Sequence, residues 1–431
     1  MVTREATTAA APAAAHGEQK VAFAAFRDGN FRNYLVTNVL FMIGDNVEHV
    51  VSYWVLFYLF QSPVLAGYAV ISHWMPSLLF SVYAGSLADR YDCRRLLQIS
   101  MLMFAGCSVA WGILIATDSL QVWQSLLILT IHGFAVVLRG PAGQLIIHDI
   151  VGGQNLQSAI RLNATGIQLG LVGGPAVGGA MIVFFGPAIG LLLNSLLYIP
   201  QITWLSLVPF TGHRSDAART RQPRIGIGDL ARVMREVSRN RTIFAMLVLT
   251  GAGALFIGSG IQAQMPEFAR DLGEDKAGLG YTILQMATAV GAILGGLALE
   301  GGNLLRPHAR TAIIAGVLFG ITVIGFAAAP TLAIAIPLLF CMGAFRLAFS
   351  SMAQTLVQIL APANLRGRTL GVFAMAQSGL QTGSGATVGL LGAAVGIHWS
   401  LGLSGLAVLI ATVWLLQFVR SGLDQPLAAT A

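Results

Sequence analysis

The chain has 431 residues, of which 55% are hydrophobic and only 10% charged, against about 25% charged in an ordinary soluble domain. That balance excludes a soluble enzyme, and with 50 glycines and so few charges it excludes a disordered or nucleic-acid-binding chain too. The formal net charge of +7 is concentrated in one arginine-rich segment, 210–241, and reads as a topology signal, not as a nucleic-acid patch.

Residues 1–26 are Ala-rich and polar and contain no apolar core with a cleavage site, so the first hydrophobic span is expected to act as its own insertion signal. Hydrophobic runs follow near 33–60, 64–86, 96–116, 123–149, 158–185 and 187–209. A second set lies near 242–266, 278–299, 311–328, 332–359, 369–392 and 398–420. Each approaches the roughly 20 residues a helix needs to cross a bilayer. The pattern predicts twelve transmembrane helices in two six-helix bundles, 27–209 and 242–420, with 210–241 as a linker and 421–431 as a tail. Alternating the loops leaves Arg270 and Lys276 outside and Arg139 and Arg346 within spans, with every other Lys and Arg inside, so both termini are expected in the cytoplasm. Within the linker, Ile227–Asn240 can form a basic amphipathic helix on an anionic leaflet or stay a solvated tether.

The two halves show weak self-similarity. At an offset of 210, Gly133 matches Gly343 and Gln144 matches Gln354. At an offset of 209, Asn155-Leu156 matches Asn364-Leu365 and Gly174 matches Gly383.

Between the second and third runs the sequence reads Gly85, Asp89-Arg90, Asp92 and Arg94-Arg95. The equivalent loop of the second half, with Glu300, Arg306 and Arg310, is a degenerate copy. The fifth run carries Gly166, Gly170, Gly173, Gly174, Pro175, Gly178 and Gly179. The first pattern resembles motif A of the major facilitator superfamily, and the second resembles its motif C, found in antiporting exporters. The resemblance covers residues 27–420 and is nearest to the bacterial branch of enterobactin, macrolide and multidrug efflux pumps. It implies the all-α facilitator fold, an inner-membrane location, and a cytoplasmic gate in which Gly85 lets two helices approach and Asp89 meets a helix N-terminus or arginine to latch the halves.

A charge at mid-bilayer costs about 2.5–3.5 kcal/mol on insertion scales, so each buried ion is a functional candidate. Asp45, Glu48 and His49 are spaced i, i+3 and i+4 and share one face of the first span. Arg139 lies in the fourth span, where its surroundings partly resemble the exporters' motif B, and Arg346 lies in the tenth. The superfamily resemblance places the first, fourth, seventh and tenth spans around a central cavity. Asp45, Glu48, His49 and Arg139 are therefore expected to couple protons, Arg139 biasing the carboxylates, or alternatively to form a static salt-bridge cluster. Arg346 is expected to meet an anionic substrate. Tyr53, Trp54, His73, Trp74, Gln262, Gln264, Gln285, Gln377 and Gln381 are candidate cavity liners. His73 and His132 can relay protons or serve as hydrogen-bonded structural residues.

No GK[ST] phosphate loop, GxSxG or HExxH is present, which argues against an ATP-driven pump and an intramembrane enzyme. Cys93, Cys107 and Cys341 have no metal or disulfide spacing, and no cofactor or metal is expected. The reading is a monomeric secondary transporter that exchanges protons for an amphiphilic small molecule, with membrane lipid as surroundings and no nucleic-acid partner. Import, lipid or lysolipid translocation, and a non-transporting sensor remain alternatives.

Overall fold

The computed structural model describes residues 24–213, 235, 237–273, 278–301, 308–361 and 366–420. The expectations for Lys276, Arg306, Asn364-Leu365, most of Ile227–Asn240 and the tails lie outside them, as do the side chains of Asp89 and Glu300.

The described residues are almost all helical, and the breaks follow from local chemistry. Asp28 caps α1 (Gly29–Phe60) by accepting the Asn30 and Phe31 amides at 2.8 and 3.1 Å. The helix stops at Gln61, which adopts a left-handed backbone (φ 45°), and Pro63 starts α2 (Pro63–Arg90) at a position that needs no amide hydrogen. α3 (Cys93–Ala116) is capped by Asp92. The run Val122–Asn194 is broken at Gly152 and Gly186, whose φ of 65° and 74° only glycine adopts without strain. These breaks divide it into α4 (122–151), α5 (153–185) and α6, which starts at 187 and continues through Ile199–Leu207.

In the second half, Arg241–Phe256 and Gly260–Asp271 meet at a 42° bend and form α7. α8 (Leu279–Gly301), α9 (Ala309–Ala327) and α10 (Leu332–Leu360) follow. α11 (366–395) contains two wide turns, Met375–Gly379 and Gly385–Leu390, and α12 is Ile397–Arg420. Seven helical stretches meet the length and apolarity of a membrane span, and the bent α7 is an eighth. α1 is not among them, and its middle holds Asp45, Asn46, Glu48 and His49. Leu207, Phe184 and Trp399 are more than 70% exposed, a cost in water that lipid removes.

The halves repeat in packing as well as in sequence. A side chain at Gly174 of α5 would strike Asn46 of α1, and one at Gly383 of α11 would strike Leu255 of α7. Both members of the pair are displaced by the same 209 residues.

Contacts between the halves gather at the end that holds the α1–α2 turn. There Gly67 of α2 packs against the backbone of Gly385 and Gly389 in α11, Tyr281 of α8 bonds the Val50 carbonyl at 2.9 Å, and Gln264 bonds the Pro63 carbonyl at 3.3 Å. Around the α2–α3 loop at the opposite end, the described contacts stay within the first half. Among the described residues, the halves therefore meet at one end and stand apart at the other.

Candidate functional site

Two rungs join α1 to the antiparallel α4. Asn38 accepts a hydrogen bond from the Arg139 guanidinium, and seven residues further along α1 Asp45 faces His132, seven residues before Arg139 on α4. Residues seven apart lie on one helix face, two turns or roughly 10 Å apart. Arg139 therefore does not meet the carboxylates as its sequence position suggested. It stacks on Phe41 with its guanidinium carbon 3.9 Å from the ring centroid, and Asn38 in turn bonds Asn163 of α5 at 2.9 Å.

The partner of the carboxylates is His132. Its Nδ1 lies 2.8 Å from Glu48 Oε1 and its Nε2 lies 3.1 Å from Asp45 Oδ1. The second contact is off the hydrogen-bonding axis, and both atoms lack an aligned partner. Glu48 also accepts from Ser108 of α3 at 2.5 Å and from the Tyr198 hydroxyl at 3.5 Å. Asn194 braces this shell by donating to Ser108 and to the Gly44 carbonyl. Glu48 is 2% exposed and His132 4%. A carboxylate persists at such depth only with donors around it.

His49 and His73 lead outward from this pair. His49 Nδ1 lies 2.7 Å from the Asp45 carbonyl oxygen, and so carries the hydrogen that leaves Nε2 as an acceptor. His73 Nδ1 stands 3.1 Å from that Nε2. Glu48, His49, Ser52, His73 and His132 line a small cavity, about 10 Å³ to the centre of a water, space for one water. Titratable groups of α1, α2 and α4 thus cluster around the buried carboxylates, with His49 the half-buried member and its ring centroid 5.0 Å from that of His132.

His132 was expected as a proton relay or structural residue but not as the partner of the carboxylates, and Ser108, Asn194 and Tyr198 were not singled out from sequence. The seven-residue spacing of His132 from Arg139 is the signal that was available for the first. The others come from α3 and α6, and only packing brings them to Glu48.

The seam explains most of the other candidates. Trp74 donates to Ser259 at 3.3 Å, Ser259 donates to Gln381 at 2.5 Å, and Gln377 bonds Ser350 at 2.9 Å. Gln264 and Gln285 are each 2% exposed, the latter bonded to Tyr281 at 3.2 Å. Gln264 and Gln377 tie helices together, while Gln285 braces Tyr281 on its own helix. Tyr53 is buried edge-on to His49, Trp54 packs on Tyr58 beside the α8 terminus, and Gln262 is half-buried. Arg346 is half-buried on α10 and has no hydrogen bond or ion pair among the described residues.

The α2–α3 loop also differs from expectation. A side chain at Gly85 would meet nothing within 4 Å among the described residues, so no helix approaches there. Asp92 holds Arg94 at 2.8 Å, and Arg94 donates to the Val208 carbonyl at 2.6 Å. Among the described residues the loop is tied to the end of α6 in its own half, while Arg90 and Arg95 are exposed. Burial pushes the Asp92 carboxyl up, but the side-chain and backbone hydrogen bonds of Arg94 outweigh it and hold it below the usual carboxylate range.

The glycines of α5 do what their spacing predicts. Gly170 and Gly174 face Met42 and Asn46 of α1 with no space for a larger residue, Gly179 does the same against Thr282 of α8, and Gly166 and Gly178 lie tightly against Val39 and Val50 of α1. Gly173, beside Pro175, stands off the tightest line.

Paired helical halves with a seam closed at one end and ionisable groups buried between helices define a membrane transporter of the major facilitator fold, not an enzyme. The chain belongs to the MFS_3 family of transmembrane secretion effectors, whose sequence profile matches residues 20–427. It is 21% identical over 166 residues to the staphyloferrin A transporter of Staphylococcus aureus. That stretch covers 38% of this chain and 42% of the relative, so the match spans about two-fifths of the relative's length. Among solved structures, an inward-facing bacterial homologue of the human lysosomal transporter Spinster superposes with a TM-score of 0.71 at 15% identity, covering 94% of this chain and 100% of that one. A nucleoside transporter superposes at 0.69 with 13% identity (91% and 99% covered), and a D-xylose–proton symporter at 0.65 with 16% (90% and 97%).

Proposed function

We propose that this protein is a proton-coupled antiporter that exports amphiphilic small molecules of the drug or siderophore class across a bacterial inner membrane. The supporting observation is the cluster of His73, His49 and His132 around Asp45 and Glu48, in which His49 is half-buried and Glu48 is 2% exposed. A proton passed along it changes the charge of α1 at mid-depth. The α5 glycine row lies against that same helix, so a shift of α1 must be answered by α5 and, through Gly179 and Thr282, by α8.

Substrate recognition falls to Arg346, an intramembrane guanidinium without a partner among the described residues, which suits an anionic group. The relative's role with staphyloferrin A is compatible with such a ligand. Positive-inside topology puts the open end, with Arg94, in the cytoplasm, where an exporter loads. The bundles are 27–209 and 242–420, joined by the cytoplasmic linker 210–241, and the protein works as a monomer with both tails in the cytoplasm. One pH unit supplies about 1.4 kcal/mol per proton and 100 mV about 2.3 kcal/mol per charge, enough for modest accumulation.

The test is uptake into everted vesicles with an acidic lumen. Accumulation that disappears in Asp45→Asn and Glu48→Gln supports proton-driven export. Full pH-driven transport in both variants removes the coupling role, and accumulation only in right-side-out vesicles reverses the direction.

A further inference from the structure

We propose that His49, His73, His132 and the Asp45 carboxylate form a binding site for one divalent transition-metal ion of the Zn²⁺ type, which competes with protons for the cluster. Ligating nitrogens of the three histidines lie within 4.8 Å of one another, and the Asp45 carboxylate, outside that group of three, joins it through His132. His49 Nε2 to His73 Nδ1 and His132 Nε2 to Asp45 Oδ1 are each 3.1 Å. Two ligands of a tetrahedral zinc stand about 3.3 Å apart, given metal–ligand bonds near 2 Å. The pair formed by His132 and Asp45 approaches off the hydrogen-bonding axis, and both atoms are buried without an aligned partner. That is how two groups sit when they share an ion between them and not a proton along their line.

The outer shell has the same character. A metal-bound histidine characteristically donates its other N–H to a carboxylate or a backbone carbonyl. His132 has Glu48 at 2.8 Å from Nδ1, and His49 has the Asp45 carbonyl at 2.7 Å from Nδ1. Glu48 is itself held by Ser108. Three imidazoles and one carboxylate select borderline ions over Mg²⁺ or Ca²⁺, which require mostly oxygen ligands. Asp45 and Glu48 balance the charge of a divalent ion. The groups facing the site are Asp45, Glu48, His49 and Tyr53 from α1, His73 from α2, Cys107 from α3, His132 from α4 and Tyr198 from α6. Binding displaces protons from the histidines and weakens in acid.

The experiment is calorimetric titration of the purified full-length protein in detergent with ZnCl2 and, separately, MgCl2, together with the visible spectrum after Co²⁺ addition. The expected result is one Zn²⁺ per chain, no comparable Mg²⁺ heat, and the intense absorption of tetrahedral Co²⁺. Binding weakens at least about tenfold in His73→Ala and Asp45→Asn and about 10- to 100-fold in Glu48→Gln, and it is unchanged in the distant His398→Gln. Equal Zn²⁺ affinity in His73→Ala and the parent protein, or equal affinity for Mg²⁺, overturns the proposal. The Co²⁺ spectrum of the unmutated protein decides the matter if the variants do not fold, since weak octahedral bands alone also overturn it. No gradient is applied, so loss of metal binding leaves the proton-coupling reading standing, and the converse holds.

Discussion

Gly174 of α5 lies against Asn46 of α1 so closely that any side chain would collide with the Asn46 Cβ. The contact sits one residue from Asp45, so the row of glycines that joins two helices also sets how far the charged face of α1 can move. Gly174→Leu is expected to destabilise the protein by about 1–3 kcal/mol and to abolish transport. A thermal melt and an uptake assay on the same preparation check this, and a fully active Gly174→Leu protein would show that the contact is dispensable.

Ser108 donates to Glu48 at 2.5 Å and is completely buried. Removing a donor to a buried carboxylate costs about 1–3 kcal/mol. Ser108→Ala should therefore lower thermal stability by that amount at neutral pH, and the loss should shrink in a Glu48→Gln background, where no carboxylate is left unpaired. A double-mutant cycle measures the coupling, and strict additivity contradicts it.

Arg346 has no partner among the described residues, so Arg346→Ala leaves no counter-charge stranded. It is expected to keep thermal stability within about 0.5 kcal/mol of the parent while raising the KM for an anionic substrate at least tenfold. Arg346→Lys should recover part of the loss. A KM equal to the parent's in Arg346→Ala places recognition elsewhere.

Asp92 outside the membrane gives a pH prediction. Its folded carboxyl is held below the ordinary value by Arg94, so its stabilising contribution is complete above the unfolded pKa near 4 and is lost as pH falls through the folded value. The melting temperature of the parent should therefore drop more steeply below pH 4 than that of Asp92→Asn, with the two curves converging in acid. Parallel curves across that range would show that the Asp92–Arg94 pair adds nothing.

Trp74, Ser259 and Gln381 link the halves near the closed end. Ser259→Ala removes the shared hydroxyl and is expected to raise labelling of a cysteine introduced on the α1–α2 side by an impermeant thiol reagent. An unchanged labelling rate means that the glycine contacts of α2 and α11 hold the seam alone.

Length and hydropathy were sufficient to identify a multi-span helical protein, because the bilayer leaves a backbone few ways to satisfy its amides. Glycines four residues apart in α5 announced a close helix contact, since that spacing puts every missing side chain on one face. The i, i+3 and i+4 spacing of Asp45, Glu48 and His49 placed three titratable groups together for the same reason. The sequence alone determined, then, which face of each helix carries small or charged residues. It could not say which helix stands opposite. That is why Arg139 was expected beside the carboxylates yet lies two turns away on Asn38, and why Gln264 turned out to tie α7 to the start of α2. Only the tertiary structure, by setting α4 antiparallel to α1 in one register and bringing Ser108 and Tyr198 across from α3 and α6, made His132 the partner of Asp45 and Glu48. Register between helices arises from ridge-and-groove packing over their whole length, and no short stretch of sequence encodes it.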